Sequence, residues 1–401
     1  MCINVLFVNN KPFNPILGGI ERVTDVLAKS FLAKGYNVYY LCGKVDQTET
    51  QSIEYDFPAI LYMLPEQGLF SSQINREFYE KLIEDLRIDI VINQRGLNGG
   101  FNEMLYIGEV KKISVIHSEP NSEIMHNVSR ILLFSKSFRE QIKKYIKLAL
   151  YPLFYLRAII KAKLMLKDKY RELEDKSDAI VLLSNNDIPT FLSNGIKSSK
   201  KMILAIPNPN TFSTSNPPVL DDKENIILFV GRLDPFQKNL LCLLKIWKRL
   251  YCKHPQWKLV IVGDGPDYER ISEYIDNKRL KNVFLEGAQK DVERYYRKAS
   301  FICLTSFYEG WGMTLTEGMS YGCIPITFNN YGAASDIIDD GKNGCLINAY
   351  DKGEYARRLS ELMRDECKRR CYSTAAFDKV KLFAVENVVR RWDNLFHKMS
   401  K

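Results

Sequence analysis

The sequence predicts an α/β protein of two Rossmann-like, doubly wound domains facing a cleft, and three observations predict it. Short apolar runs rich in β-branched residues alternate with longer segments of helical periodicity, the pattern of a parallel sheet covered by helices. The alternation stops once, in the Pro-, Asn- and Ser-rich stretch 207–225, and then restarts. A chain of 401 residues is also too long for one ordinary core.

In the first half, strands are expected at 3–8 (INVLFV), 37–42, 89–93, 112–117, 178–184 and 202–207, with helices between most of them. After the 207–225 linker, strands are expected at 226–231, 258–263, 282–287, 301–306 and 324–328, with a shorter one at 344–347. Helices should fall at roughly 239–252, 267–277, 291–299, 313–321 and 351–370. The expected domains are therefore 1–206, carrying a basic insert at 130–171, and 226–378. A terminal amphipathic helix in 379–401, with Val388, Trp392, Leu395 and Phe396 on one side, is free to pack back on the first domain. Ligands of such folds bind outside the carboxyl ends of the strands.

Composition excludes several classes. The nine cysteines are scattered without a Cys-x-x-Cys pair and the histidines number only four, which fits reduced thiols better than a disulfide framework or a zinc site. The opening MCINVLFVNNKPFNP runs straight into a strand without the order of a signal peptide, so a cytoplasmic protein is expected. The formal net charge of +9 is localised: residues 130–171 hold twelve Lys or Arg against only Glu140 and Asp168.

The chemistry concentrates in EGWGMTLTEG, 309–318. A strand, a glycine turn and a helix in succession aim unpaired backbone N–H groups and the positive helix end at an anion. Glu309 lies in the turn, and Glu317 lies inside the helix, where it is placed to accept hydrogen bonds from a vicinal diol. The segment FVGRLDPFQKN, 229–239, repeats the strand and glycine turn and places Arg232 and Lys238 there, a fork and a point charge suited to a diphosphate. Neither turn matches a P-loop or a Gly-x-Gly-x-x-Gly fingerprint.

Gly231-Arg232-Leu233 with Lys238, then Gly263-Asp264-Gly265-Pro266, and Glu309-Gly310-Trp311-Gly312-Met313 leading to Glu317, together resemble the donor domain of GT-B glycosyltransferases of family 4, also called glycosyl transferases group 1. The resemblance extends to GGIER at 18–22 and to His117 closing ISVIH, and is strong from about 226 to 348. Departures are Ser335-Asp336, where the family usually has a Glu, and the insert 130–171. The resemblance implies a nucleotide-sugar donor and a retaining transfer. It assigns Arg232 and Lys238 to the diphosphate, Glu317 to the ribose and Glu309 to the donor sugar near the reacting carbon. The backbone N–H groups of Gly312, Met313 and Thr314 would add to phosphate or sugar binding, those of Gly18 and Gly19 would close over the diphosphate, and His117 would hydrogen-bond the donor sugar or the acceptor. It implies no cofactor and no metal, in keeping with the absence of an Asp-x-Asp motif.

The basic insert interleaves cations with Tyr, Phe and Leu and is too charged to span a bilayer, which needs about 20 mostly uncharged residues. Pro152 is expected to break or kink a helix there. Lying on an anionic membrane surface suits it, against a plain excursion packed on the first domain. The reading is a glycosyltransferase acting on a lipid-linked or polysaccharide acceptor, as in lipopolysaccharide assembly, peripheral on the inner face of the cell membrane. Its rivals are a GT-B nucleotide-sugar epimerase and a non-catalytic sugar-nucleotide binder. Nucleic acid is disfavoured as a partner because the cations share a strongly apolar segment.

Overall fold

A computed structural model describes residues 3–16, 18–43, 55–67, 71–96, 107–122, 124, 151–196 and 202–399, with side chains of the long helix described from Ile159 onward. The chain divides into two compact units, Met1–Pro120 with Lys163–Thr211 and Phe383–Lys401, and Asn121–Ala162 with Phe212–Leu382.

Among the described residues, the first unit holds a parallel sheet of β1 (Asn4–Asn9), β2 (Asn37–Cys42), β3 (Ile60–Met63), β4 (Ile90–Asn93), β5 (Lys111–Ile116), β6 (Ala179–Leu182) and β7 (Met202–Ala205), in the order β3-β2-β1-β4-β5-β6-β7. Successive strand side chains point to opposite faces, and both faces are covered. From β1, Phe7 stacks on Phe31 of α1 (Gly19–Ala33), with ring centroids 5.9 Å apart. Leu6 and Val8 face the other way, into a cluster with Tyr79, Leu82 and Ile83 of α2 (Gln73–Asp85). Each such fully buried side chain contributes about 1.5–3 kcal/mol. β3 was not expected from the sequence. It is an edge strand with no fully buried position, although its run Ile60–Met63 is as apolar as those of the central strands.

Helix α3 (Tyr151–Lys176) continues through the described part of the basic insert and buries Leu166, Tyr170 and Leu173, while Ile160, Leu164 and Met165 stay exposed. Pro152 falls in its first described turn, where a missing N–H costs little, and it does not break the described helix. Residues 130–150 of the insert lie outside the described residues. No described helix is long and apolar enough to cross a membrane. After α4 (Asp187–Ser193) and β7, the stretch to Thr211 stays with the first unit, where the Asn210 N–H donates to the Phe383 carbonyl.

The second unit's sheet contains β8 (Glu224–Val230), β9 (Lys258–Val262), β10 (Val283–Gly287), β11 (Ala299–Cys303), β12 (Ile324–Phe328) and β13 (Cys345–Ile347), in the order β10-β9-β8-β11-β12-β13, all parallel. Its helices are α5 (Leu240–Trp247), α6 (Tyr268–Asn277), α7 (Glu293–Lys298), α8 (Met313–Ser320), α9 (Gly332–Ile337), α10 (Lys352–Arg364) and α11 (Glu366–Val380). The single helix expected at 351–370 is two. Asp365 ends one and caps the next, its carboxylate accepting from the Lys368 N–H at 2.8 Å. The terminal α12 (Val385–Met399) belongs to the first unit and packs on α1 through Trp392 and Phe396 around Phe31. In each sheet the strand order reverses once, between β1 and β4 and between β8 and β11. Crevices form at such reversals.

Candidate functional site

At the β8/β11 reversal the two loops predicted to carry chemistry are stitched together. The Phe307 N–H donates to the Gln237 carbonyl at 2.7 Å and the Thr305 hydroxyl to the Asn239 carbonyl at 3.1 Å. Across that seam the Lys238 ammonium donates to Glu309 Oε1 at 2.6 Å, and the Ser306 hydroxyl donates to the same oxygen at 2.6 Å. Lys238 and Glu309 are both largely buried, so their attraction is less weakened by water than that of a surface ion pair. Sequence reasoning gave the two residues separate ligands. The structure joins them to each other, leaving Glu309 Oε2 without a hydrogen bond among the described residues. Arg232, on the same loop as Lys238, is exposed and makes no ion pair among the described residues.

Gly312 caps α8 in a left-handed conformation at φ +84°, and as the first residues of the helix Met313 and Thr314 have N–H groups without intrahelical acceptors. One turn further on, Glu317 is 2% exposed and accepts from the buried Tyr296 hydroxyl at 2.9 Å. Burial, reinforced by the charges of Asp234 and Glu309, pushes the Tyr308 hydroxyl up to about 12, so this neighbour of Glu309 stays a neutral phenol.

The GDGP segment serves the Arg232 loop as a backbone brace. The Leu233 N–H donates to the Asp264 carbonyl at 2.9 Å, and the Asp267 N–H to the Leu233 carbonyl at 3.0 Å. A Cβ on Gly263 would lie 1.9 Å from the Gly231 carbonyl oxygen, and one on Gly265 2.7 Å from that of Leu233. Asp264 spends its carboxylate on the Gly265 N–H at 2.7 Å, as a turn residue does.

The first unit has its own polar cluster at the β1/β4 reversal. Gly18 precedes α1 in extended conformation, and a Cβ there would meet Glu21 Oε2 at 2.7 Å. Glu21, 4% exposed, folds back towards the amino end of α1, accepting from Asn9 Nδ2 at 3.1 Å with the Arg95 guanidinium at 3.6 Å. A carboxylate of the chain itself thus sits where Gly18 and Gly19 were expected to offer a free helix end. After β5, His117 is half-buried, and its Nε2 is 2.5 Å from Gln94 Oε1. Burial and then the nearby Arg95 charge lower its pKa to about 3, so the imidazole is neutral.

Residues 212–379 match the family model for glycosyl transferases group 1. Relatives include the poly(glycerol-phosphate) alpha-glucosyltransferase of Bacillus subtilis, 28% identical over 65% of this chain and 40% of its own length. Another is the amylovoran biosynthesis glycosyltransferase AmsD of Erwinia amylovora, 29% identical over 55% of this chain and 62% of its own. The chain spans about half the length of these relatives. Among solved structures, TarM superimposes with a TM-score of 0.75 over 99% of both chains at 15% identity. Anabaena HepE in complex with UDP and glucose gives 0.73 over 99% and 100%. The match to the glycosyl transferases group 1 family thus spans most of the second unit, and the whole chain has the GT-B fold.

Sequence reasoning missed four residues that the fold places beside its candidate residues: Ser306, Tyr296, Gln94 and Glu21. Ser306 ends the FICLTS run three residues before Glu309, so strand-end position was a readable signal. Tyr296, from α7, and Gln94, from the turn after β4, reach Glu317 and His117 only through tertiary packing, and no local pattern marks them.

Proposed function

We propose that this protein moves a sugar from a nucleotide-sugar donor to a hydroxyl of a lipid-linked or polysaccharide acceptor, with retention of anomeric configuration and without a metal ion. The observation that carries the reading is the 2.6 Å Lys238–Glu309 contact joining two loops at a sheet reversal beside an unpaired Arg232 and the start of α8. The names of the relatives support it, since one is a poly(glycerol-phosphate) alpha-glucosyltransferase and the other an amylovoran biosynthesis glycosyltransferase.

Each group has a role that its environment suits. Arg232 grips the diphosphate, and Lys238, holding Glu309 with one N–H, reaches phosphate with the other two. The N–H groups of Gly312, Met313 and Thr314 carry charge as the leaving group departs. Glu317, oriented by Tyr296, takes the ribose hydroxyls, and Glu309 Oε2 accepts from a sugar hydroxyl near the reacting carbon. The bond from the anomeric carbon to the diphosphate breaks as the acceptor oxygen bonds to that carbon on the same face. The acceptor proton passes to a departing phosphate oxygen. Neither Glu309 nor His117 needs to become a covalent nucleophile.

A thermal-shift comparison of UDP, GDP, ADP and TDP identifies the base, since a ligand of the native state raises the melting point. Turnover of the matching nucleotide sugar, insensitive to EDTA and lost in Glu309→Ala with nucleotide binding kept, supports the transferase. Conversion of the donor to an isomer marks an epimerase, and tight binding without turnover marks a binder.

The membrane proposal extends to α3, where exposed Ile160, Leu164 and Met165 alternate with Lys161, Lys163 and Lys167. Such a face suits anionic headgroups on the cytoplasmic side of a membrane. Reversing those three lysines to Glu should release the protein from anionic vesicles, and unchanged co-sedimentation rejects the assignment.

A further inference from the structure

We infer that Gln94 is a positioning residue that locks His117 with its hydrogen on Nε2, so that Nδ1 accepts a hydrogen bond from a substrate hydroxyl. The carbonyl oxygen of an amide only accepts, so the 2.5 Å contact to Gln94 Oε1 requires His117 Nε2 to carry the hydrogen. In a neutral imidazole the other nitrogen is then a lone pair. That atom, Nδ1, is buried and has no hydrogen-bond partner among the described residues. A buried acceptor left unpaired is destabilising, and a bound hydroxyl would satisfy it.

The setting holds this arrangement. Gln94 is 1% exposed on the turn after β4, where its N–H donates to the Val8 carbonyl at 3.0 Å, so its backbone is fixed to the central strand. Gln94 and His117 both line a small cavity closed by Val23, Leu27, Leu183 and Trp392, with Asn208 as the other polar side chain on its wall; His117 Nδ1 and Gln94 Nε2 both lack a hydrogen-bond partner among the described residues. The neighbouring Arg95 guanidinium opposes a second proton on the ring. The group that Nδ1 recognises must therefore carry a hydrogen to give. Phosphate and carboxylate oxygens are excluded, and sugar and polyol hydroxyls fit.

The hydroxyl source rests on the transferase reading, whereas the tautomer does not. Long-range proton–nitrogen spectra of the full chain with labelled histidine, the His117 signals assigned by their loss in His117→Gln, should show an Nε2–H tautomer at neutral pH. Gln94→Leu should mix the tautomers, and Gln94→Glu, which still offers an acceptor, should restore the Nε2–H form. An Nδ1–H tautomer in the native protein, or no change in Gln94→Leu, overturns the inference whatever the protein catalyses. UDP-glucose shifting the Nδ1 resonance where UDP does not assigns the hydroxyl to the donor sugar. A shift with glycerol 3-phosphate instead assigns it to the acceptor, and a shift with neither overturns the recognition step. In turnover, kcat/KM should fall roughly tenfold to a hundredfold in Gln94→Leu and recover in Gln94→Glu.

Discussion

The two sheet reversals are built alike and charged differently. At β8/β11 an exposed Arg232 stands unpaired beside the Lys238–Glu309 pair, and the helix start at Gly312 is left to its own N–H groups. At β1/β4 the helix start is met by Glu21, Arg95 is held by Asn9 and Glu21, and the facing pair Gln94–His117 is neutral. On the proposed reading, the same topology serves phosphate charge at one reversal and hydroxyl hydrogen bonds at the other. Topology says where a ligand binds, and the side chains on the reversal loops say which chemistry binds.

The sharpest way to break that contrast is at the charged reversal. Glu309→Ala removes the carboxylate that both Lys238 and Ser306 address, and turnover should fall on the order of a hundredfold to a thousandfold, with nucleotide affinity kept or raised because Lys238 is released. Steady-state rates with isothermal titration of the nucleotide check both halves. A parallel loss of nucleotide affinity would mean that Glu309 supports the loop and nothing more. Next in size is Gly263→Ala. Its Cβ would overlap the Gly231 carbonyl at φ +142°, so the Arg232 loop must move, at a cost of about 3–5 kcal/mol in urea unfolding. Gly35→Ala, at φ +87° with nothing within 4 Å, isolates the backbone term alone and should cost only about 1–2 kcal/mol.

These particular residues show how far the sequence could be read. Alternation of apolar and amphipathic segments disclosed both sheets, because central parallel strands are apolar throughout and the helices are not. The apolar run of β3, Ile60–Met63, carries the same signal, whereas the division at Asp365, where a cap interrupts an otherwise continuous helical period, does not. At the site, Arg232, Lys238, Glu309 and Glu317 stood out because glycine turns flank them on the chain. That Lys238 and Glu309 bond each other, 71 residues apart in sequence, is a consequence of strand order, which no local pattern states. Residues 130–150, the heart of the basic insert, lie outside the described residues, so charge and composition alone speak for them.

A smaller effect separates orientation from chemistry within the second unit. Tyr296→Phe withdraws one donor from the buried Glu317 carboxylate and keeps the ring that stacks on Tyr321. It should cost about 1–2 kcal/mol of stability and raise the donor KM severalfold, with kcat nearly unchanged, since the ribose is gripped equally in ground and transition states. A fall in kcat at constant KM would place Glu317 nearer the reacting carbon than the proposal does.

The effect at the neutral reversal is small near pH 6 and is read with pH. His117 titrates at about 3 in the folded protein and near 6.5 when unfolded. Between those values the unfolded chain binds a proton that the native state refuses, so stability rises with pH across this window and is lost as pH falls from about 6.5 towards 3. One proton gives a slope of at most about 1.4 kcal/mol per pH unit, and at about pH 6 the loss is below ~1 kcal/mol. His117→Gln removes the titration while keeping polar capacity. Its unfolding free energy should be flatter between pH 4 and 6.5 than that of the native protein, by up to one proton's slope. Equal slopes would show that the native imidazole accepts its proton as readily as the unfolded one. Arg95 and the apolar wall around His117 would then fail to keep the ring neutral, and the contrast with the charged reversal would go with them.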